Sequence, residues 1–240
     1  MSIFVIGDLH LSQAVDKPMD IFGDNWQNHD TKIEESWKQL VSEGDTVVIP
    51  GDISWAMTAE EALQDLEFIN RLPGKKILMK GNHDYWWQTA AKNRALVEEK
   101  GLTSISFLYN NSIYIEESNI SICGTRGWKC PGEDGEEFSE QDEKIYLREN
   151  ERLKLSVGKS KEGSKIICFL HYPPFNAGFK PNLITETIEE HGIEKCFYGH
   201  LHGPSRRYSL NGKLPGGGNC EYKLVSADQL GFKPWLIKEE

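Results

Sequence analysis

Five apolar runs in this chain end in residues that can bind a metal ion or move a proton. "IFVIGDLH" ends in Asp8 and His10, "VVIPGD" in Asp52, and "ILMKGNHD" in Asn82, His83 and Asp84. "IICFLH" ends in His171, and "CFYGHLH" in His200 and His202. Carboxylate, imidazole and amide oxygen are ligands for first-row transition metals, and no thiolate is among them. Asp8 and His10 are two residues apart, as are His200 and His202. In extended chain that spacing directs both side chains to one face. Gly7, Gly51, Gly81 and Gly199 stand immediately before the polar residues, where a missing Cβ permits sharp turns and close backbone approach.

The elements that must carry these residues can be read from apolar patterning. Strands are expected at Ile3 to Gly7, Thr46 to Ile49, Lys76 to Met79, Ile166 to Leu170 and Cys196 to Tyr198, with further strands at Ser104 to Leu108, Ile113 to Ile115, Ile120 to Cys123, Leu224-Val225 and Trp235 to Ile237. Thr31-x-x-Glu34 and Thr58-x-x-Glu61 have the form of capping boxes, each opening a helix. Helices are also expected at Asn93 to Lys100, Ser139 to Leu155 and Leu183 to His191. Alternation of strands and helices in the first part predicts a partly parallel sheet, while the later strands, read as lacking intervening helices, suggest antiparallel additions. In open α/β sheets, sites form beyond the carboxyl ends of the strands, so all five runs would bring their polar groups to such an edge.

In this order, the blocks D-x-H, G-D, G-N-H-D, H and G-H-x-H resemble the calcineurin-like metallophosphoesterase family. Every block is present between Asp8 and His202, and no ligand position departs from the pattern. The resemblance implies an α/β fold of four layers, an α/β/β/α sandwich of two packed mixed sheets flanked by helices. It implies two divalent or trivalent transition-metal ions, manganese first, with iron or zinc as alternatives. Asp52 would bridge them, Asp8, His10 and His202 would complete one shell, and Asn82, His171 and His200 the other. His83 would be the catalytic acid or phosphate stabiliser. Asp84 is read either as a turn former or as a second catalytic residue that holds the His83 ring by a hydrogen bond and fixes its tautomer.

Arg126, between glycines after a strand, has two readings: a grip on a substrate phosphate, or a surface ion pair with the acidic segment that follows. His29, at the end of the long loop that begins at Ser12, either lines the substrate pocket or serves helix entry. Trp86 and Trp87 are read as packing residues, and His191 as a partner of a helix C-terminus. Residues 129–163, polar and acidic, are expected to form an exposed insertion or flap on a single domain spanning 1–240.

The bulk properties fit this picture. The chain has 240 residues, 38% hydrophobic and 27% charged, with a formal net charge of −10. That charge weighs against a nucleic-acid polymer as partner; it is compatible with a phosphorylated small molecule held through metal ions. The five cysteines, odd in number and without a C-x-x-C spacing, suggest reduced buried thiols. With no apolar run of about 20 residues and no signal-peptide pattern, the expected location is cytoplasmic and off the membrane. The expected function is hydrolysis of phosphate mono- or diesters of a small molecule or nucleotide. The alternatives are a nuclease acting on a polymer, and a non-enzymatic metal-binding interaction module.

Overall fold

A computed structural model describes residues 1–132 and 138–238. The chain divides into two compact units, Met1–Phe107 with Val225–Glu240, and Leu108–Leu224. Each is built on one five-stranded mixed sheet flanked by helices, the class of fold expected.

In the first unit, strands β1 (Ile3–Val5), β2 (Thr46–Ile49), β3 (Lys75–Leu78) and β4 (Ile105–Phe107) run parallel. The crossovers between them carry helices α1 (His29–Leu40), α2 (Ala59–Arg71) and α3 (Ala90–Glu99). The central strands have near-continuous buried apolar residues because helices cover a parallel sheet. Helix α2 starts where expected. Thr58 Oγ1 accepts from Glu61 N at 3.2 Å and Glu61 Oε2 accepts from Thr58 N at 3.1 Å, which satisfies two end groups reciprocally. Ala62, Leu66 and Ile69 then form its buried stripe.

Helix α1 departs from expectation. It begins at His29 rather than at Thr31, behind a left-handed Asn28 (φ 50°). Thr31 lies inside the first turn, and Glu34 pairs with Lys38 at 2.6 Å instead of reaching back to a cap. The buried stripe His29, Ile33, Ser36 and Trp37 sets this start. The preceding loop is more ordered than its composition suggests, with short 3-10 turns at Met19–Phe22 and Asp24–Trp26.

Among the strands, the expectation of antiparallel additions holds only for Ile113–Ile115 and Trp235–Ile237 and is corrected for the rest of the second unit. Strands β6 (Ile120–Thr125), β7 (Lys165–Leu170), β8 (Lys195–Tyr198) and β9 (Glu221–Leu224) are all parallel. Among the strands of the described residues, β5 (Ile113–Ile115) pairs antiparallel with β6 in this unit and β10 (Trp235–Ile237) with β1 in the first, and an isolated antiparallel bridge joins Gly212 to Tyr222. The crossovers use α4 (Glu140–Val157), α5 (Leu183–Glu190) and a 3-10 turn at Gly203–Tyr208.

Helix α4 also corrects the exposed flap expected at 129–163. It buries Tyr146, Glu149, Asn150, Leu153, Ser156 and Val157 and belongs to the core of the second unit. Its outer face is strongly polar, which masks the stripe in the composition of the segment. The acidic run at 133–137 lies outside the described residues.

If α4 is core, truncating its fully buried Leu153 should cost about 2–5 kcal/mol. Denaturant unfolding of Leu153→Ala measures this. A cost below about 0.5 kcal/mol, typical of surface positions, would return the helix to the status of a flap.

Candidate metal and phosphoester site

In the first unit the strands β1, β2 and β3 are parallel neighbours, so their carboxyl ends share one edge of the sheet. There the chain places Asp8 and His10, Asp52, and Asn82 to Asp84. Asp8, His10 and Asp52 each offer one ligand atom within 4.8 Å of the others, with His10 Nε2 3.7 Å from Asp52 Oδ2. The expected extended D-x-H arrangement is not what produces this convergence. Asp8, His10 and Asp52 are all left-handed, with φ of 56°, 47° and 50°. Such conformations cost on the order of 1–3 kcal/mol in non-glycine residues and gather at functional sites.

Gly81 explains how the β2 and β3 loops come so close. A Cβ there would run into the backbone nitrogen and carboxylate of Asp52. Across this approach His83 N donates to Asp52 Oδ1 at 2.8 Å. Asp84 completes the junction. Its Oδ1 accepts from Ile53 N (2.9 Å), Ser54 N (3.2 Å) and Trp86 Nε1 (3.0 Å), and its Oδ2 from Gly81 N (2.7 Å). These four donors occupy the carboxylate in place of the expected His83 ring. Burial pushes the Asp84 carboxyl above the usual carboxylate range, and the same hydrogen bonds pull it back.

The His83 ring is instead held by Trp55, at 4.4 Å between centroids. Trp55 also stacks on His10 (4.9 Å, 22°). It went unread in the sequence, although it lies three residues beyond Asp52. Behind it sits fully buried Asp65 of α2. Asp65 Oδ1 accepts from Gln13 N at 2.9 Å, and Oδ2 meets the Ser54 hydroxyl. Desolvation raises the Asp65 carboxyl above its usual range. His29 sits 8% exposed with Nε2 3.2 Å from the His10 carbonyl oxygen, and burial lowers its basicity. Its place at helix entry matches one of its two readings, and the same contact ties α1 to the His10 turn. Trp86 and Trp87 are buried and pack on each other.

In the second unit β7 and β8 present His171 and His200 at one edge, with ring nitrogens within 4.8 Å of each other. His171 is fixed from both sides: its N–H donates to the Arg126 carbonyl and its carbonyl accepts from Gly199 N–H, both at 3.0 Å. His200 is left-handed (φ 72°) and packs on Tyr172 at 4.3 Å, a second residue that the sequence did not single out. His202 precedes the turn at Gly203–Tyr208, its N–H donating to Ser205 Oγ at 2.9 Å. The Arg126 guanidinium lies 4.7 Å over the Trp128 ring and 3.9 Å from Glu149 Oε1. The pairing is an ion pair with an acid of α4, as one reading had it, but Glu149 is buried rather than on the surface. Glu149 also takes Arg152 (2.5 Å) and the Thr125 hydroxyl.

The donors fit a metal. Asp8 and Asp52 are 0% and 1% exposed, and two like charges so close and so buried are costly unless a cation lies with them. Carboxylates and imidazoles suit a divalent ion such as manganese, iron or zinc. The five cysteines are buried and free, and burial pushes the Cys123 thiol up to about 11.

Residues 1–204 match the family model of the calcineurin-like phosphoesterases. Among solved structures, the chain is similar to the phosphopantetheinyl hydrolase PptH from Mycobacterium tuberculosis, with TM-score 0.59 and 13% identity over 100% of this chain and 96% of that one. It is also similar to the protein TT1561 of Thermus thermophilus, with TM-score 0.50 and 12% identity over 83% and 81%. At these identities the likeness is one of fold. A search of curated protein sequences gives no match.

The junction at Asp84 predicts a stability effect that needs no metal. Asp84→Asn keeps the shape but turns an amide NH2 towards buried N–H donors, at a cost of about 1–3 kcal/mol. Denaturant unfolding after exhaustive chelation reads it; wild-type stability under those conditions would remove Asp84 from its structural role.

Proposed function

We propose a function from one premise: this chain belongs to the calcineurin-like phosphoesterase family and is a hydrolase of phosphoric ester bonds. The reading is a metal-dependent, cytoplasmic phosphohydrolase acting on phosphate mono- or diesters of a small molecule or nucleotide. The observation that carries it is the ordered set of donors at strand ends within the matched residues. In the first unit this set converges to within 4.8 Å for Asp8, His10 and Asp52.

The proposed ligands are Asp8, His10, Asp52, Asn82, His171, His200 and His202, holding two ions, manganese first, with Asp52 shared between them. When bound, such ions supply Lewis-acid activation of water and neutralise charge on the phosphoryl group. The chain's own residues do the rest. Asp52 accepts the His83 N–H and so fixes the backbone of that residue against a ligand. Trp55 limits the swing of the His83 imidazole. From there His83 donates a proton to the leaving oxygen, or a hydrogen bond to the phosphoryl oxygens as charge develops. Asp84 is a positioning residue, holding the two loops together. Arg126 remains a weaker candidate for substrate contact, because Glu149 already engages its charge.

A small substrate is supported by the acidic balance of the chain, −10, which works against binding a nucleic-acid backbone. No helix among the described residues is long and apolar enough to cross a membrane.

The test is turnover of a series of phosphate esters of increasing leaving-group pKa by manganese-loaded enzyme, wild type against His83→Asn, with metal content verified. The variant should keep its metal and lose roughly 10²–10⁴ in turnover. The loss should grow with leaving-group pKa if His83 is the acid, and stay level if it only stabilises charge. Wild-type rates in the variant would refute the assignment of His83. No ester turnover by the metal-loaded wild type would refute the function.

A further inference from the structure

The loop between Ser12 and Asn28 holds a cation in a defined place. The Lys17 ammonium lies 4.0 Å from the centroid of the Trp55 ring, and the same ring lies 4.4 Å from the ring of His83. The same indole therefore touches both an ammonium and the ring of the proposed acid.

The segment around Lys17 is anchored to that indole. Lys17 N donates to Val15 O at 3.0 Å, and the ring of Pro18, the next residue, holds its own φ at −67°. Met19 is buried, and its Sδ accepts the Trp55 indole N–H at 3.1 Å. Trp55 is tied in turn to the start of the loop, its N–H donating to Leu11 O at 2.9 Å. The loop thus grips Trp55 through the indole nitrogen and through the ring face. The residue on the ring face is exposed, and among the described residues its ammonium meets no carboxylate. A cation placed on an aromatic face is held by the ring quadrupole while its remaining donors stay available.

We infer that Lys17, seated on Trp55 beside His83, selects phosphoesters whose leaving group carries a second negative charge. This rests on the reading of His83 as the group at the leaving oxygen. The leaving group begins at that imidazole, and the flexible four-carbon stem of lysine lets the ammonium follow an anionic group on it. Within an acidic chain, a cation at this point discriminates between leaving groups that differ only in charge.

The experiment compares meta-(carboxymethyl)phenyl phosphate with meta-ethylphenyl phosphate, whose methylene spacers keep the two phenols similar in acidity. The readout is the ratio of their kcat/KM values with manganese-loaded enzyme. Wild type should prefer the carboxylate-bearing ester. Lys17→Gln should reduce that preference by roughly two- to fivefold, the scale of an exposed charge pair. Lys17→Glu should reduce it further and Lys17→Arg should keep it. Raising the salt concentration should weaken the wild-type preference. Lys38→Gln, an equal change of net charge on the outer face of α1, should leave the ratio alone. An unchanged ratio in Lys17→Gln, or loss of both esters by the same factor, would overturn the inference. If wild type hydrolyses neither monoester, the proposed function is judged on the wider ester series, and calorimetric binding of the two matching phosphonates decides the role of Lys17 by the same ratio, an unchanged ratio in Lys17→Gln overturning the inference.

Discussion

The first unit depends on one junction between two loops. Asp84 gathers four hydrogen-bond donors from the β2 loop, the β3 loop and Trp86. Without a carboxylate there, three backbone N–H groups would be buried without acceptors, each at a cost of about 1–3 kcal/mol. Gly81 makes the junction possible because any Cβ would collide with Asp52. Asp52 answers by accepting the His83 N–H. Two carboxylates thus cross-link two strand ends. The left-handed turns at Asp8, His10 and Asp52 are strained conformations that such a network can sustain.

The junction separates holding from reacting. Asp84 lies next to His83 in the chain yet faces inward, while His83 faces the rings of Trp55 and His10. A turn of four residues, Gly81 to Asp84, therefore gives a close approach, a neutral amide, a half-buried imidazole and an internal tie. In the second unit the positioning is different in kind. Main-chain hydrogen bonds to Arg126 and Gly199 fix His171, and Tyr172 packs against His200. Arg126 serves that arrangement through its carbonyl, while its guanidinium lies by Glu149.

Most of the positioning strands were legible in the sequence because each is a short apolar run stopped by glycine and polar residues. The donor set was legible for the same reason, since the blocks keep their order and spacing. Other features depended on tertiary packing that spacing does not carry. Thr31 and Glu34 satisfy the capping pattern, but the burial of His29 on the helix face moves the start upstream. Residues 140–157 read as polar because most of their surface is; six buried side chains make the segment core. The parallel order of β6 to β9 needed α4 and α5 to be recognised as crossovers. Asp84 is marked by its place in the G-N-H-D block, but its partners across the loops are not; Trp55 and Tyr172 could have been found only by their proximity to the G-D and H blocks.

The proposed chemistry requires that the strand-end donors bind metal and that Asp52 be shared between two ions. Elemental analysis of purified protein, after chelation and reloading with manganese, tests this most directly. Wild type should take up two ions per chain. His200→Ala should retain one with normal affinity, and Asp52→Ala should retain little of either. Full metal content in a folded Asp52→Ala variant would contradict the account.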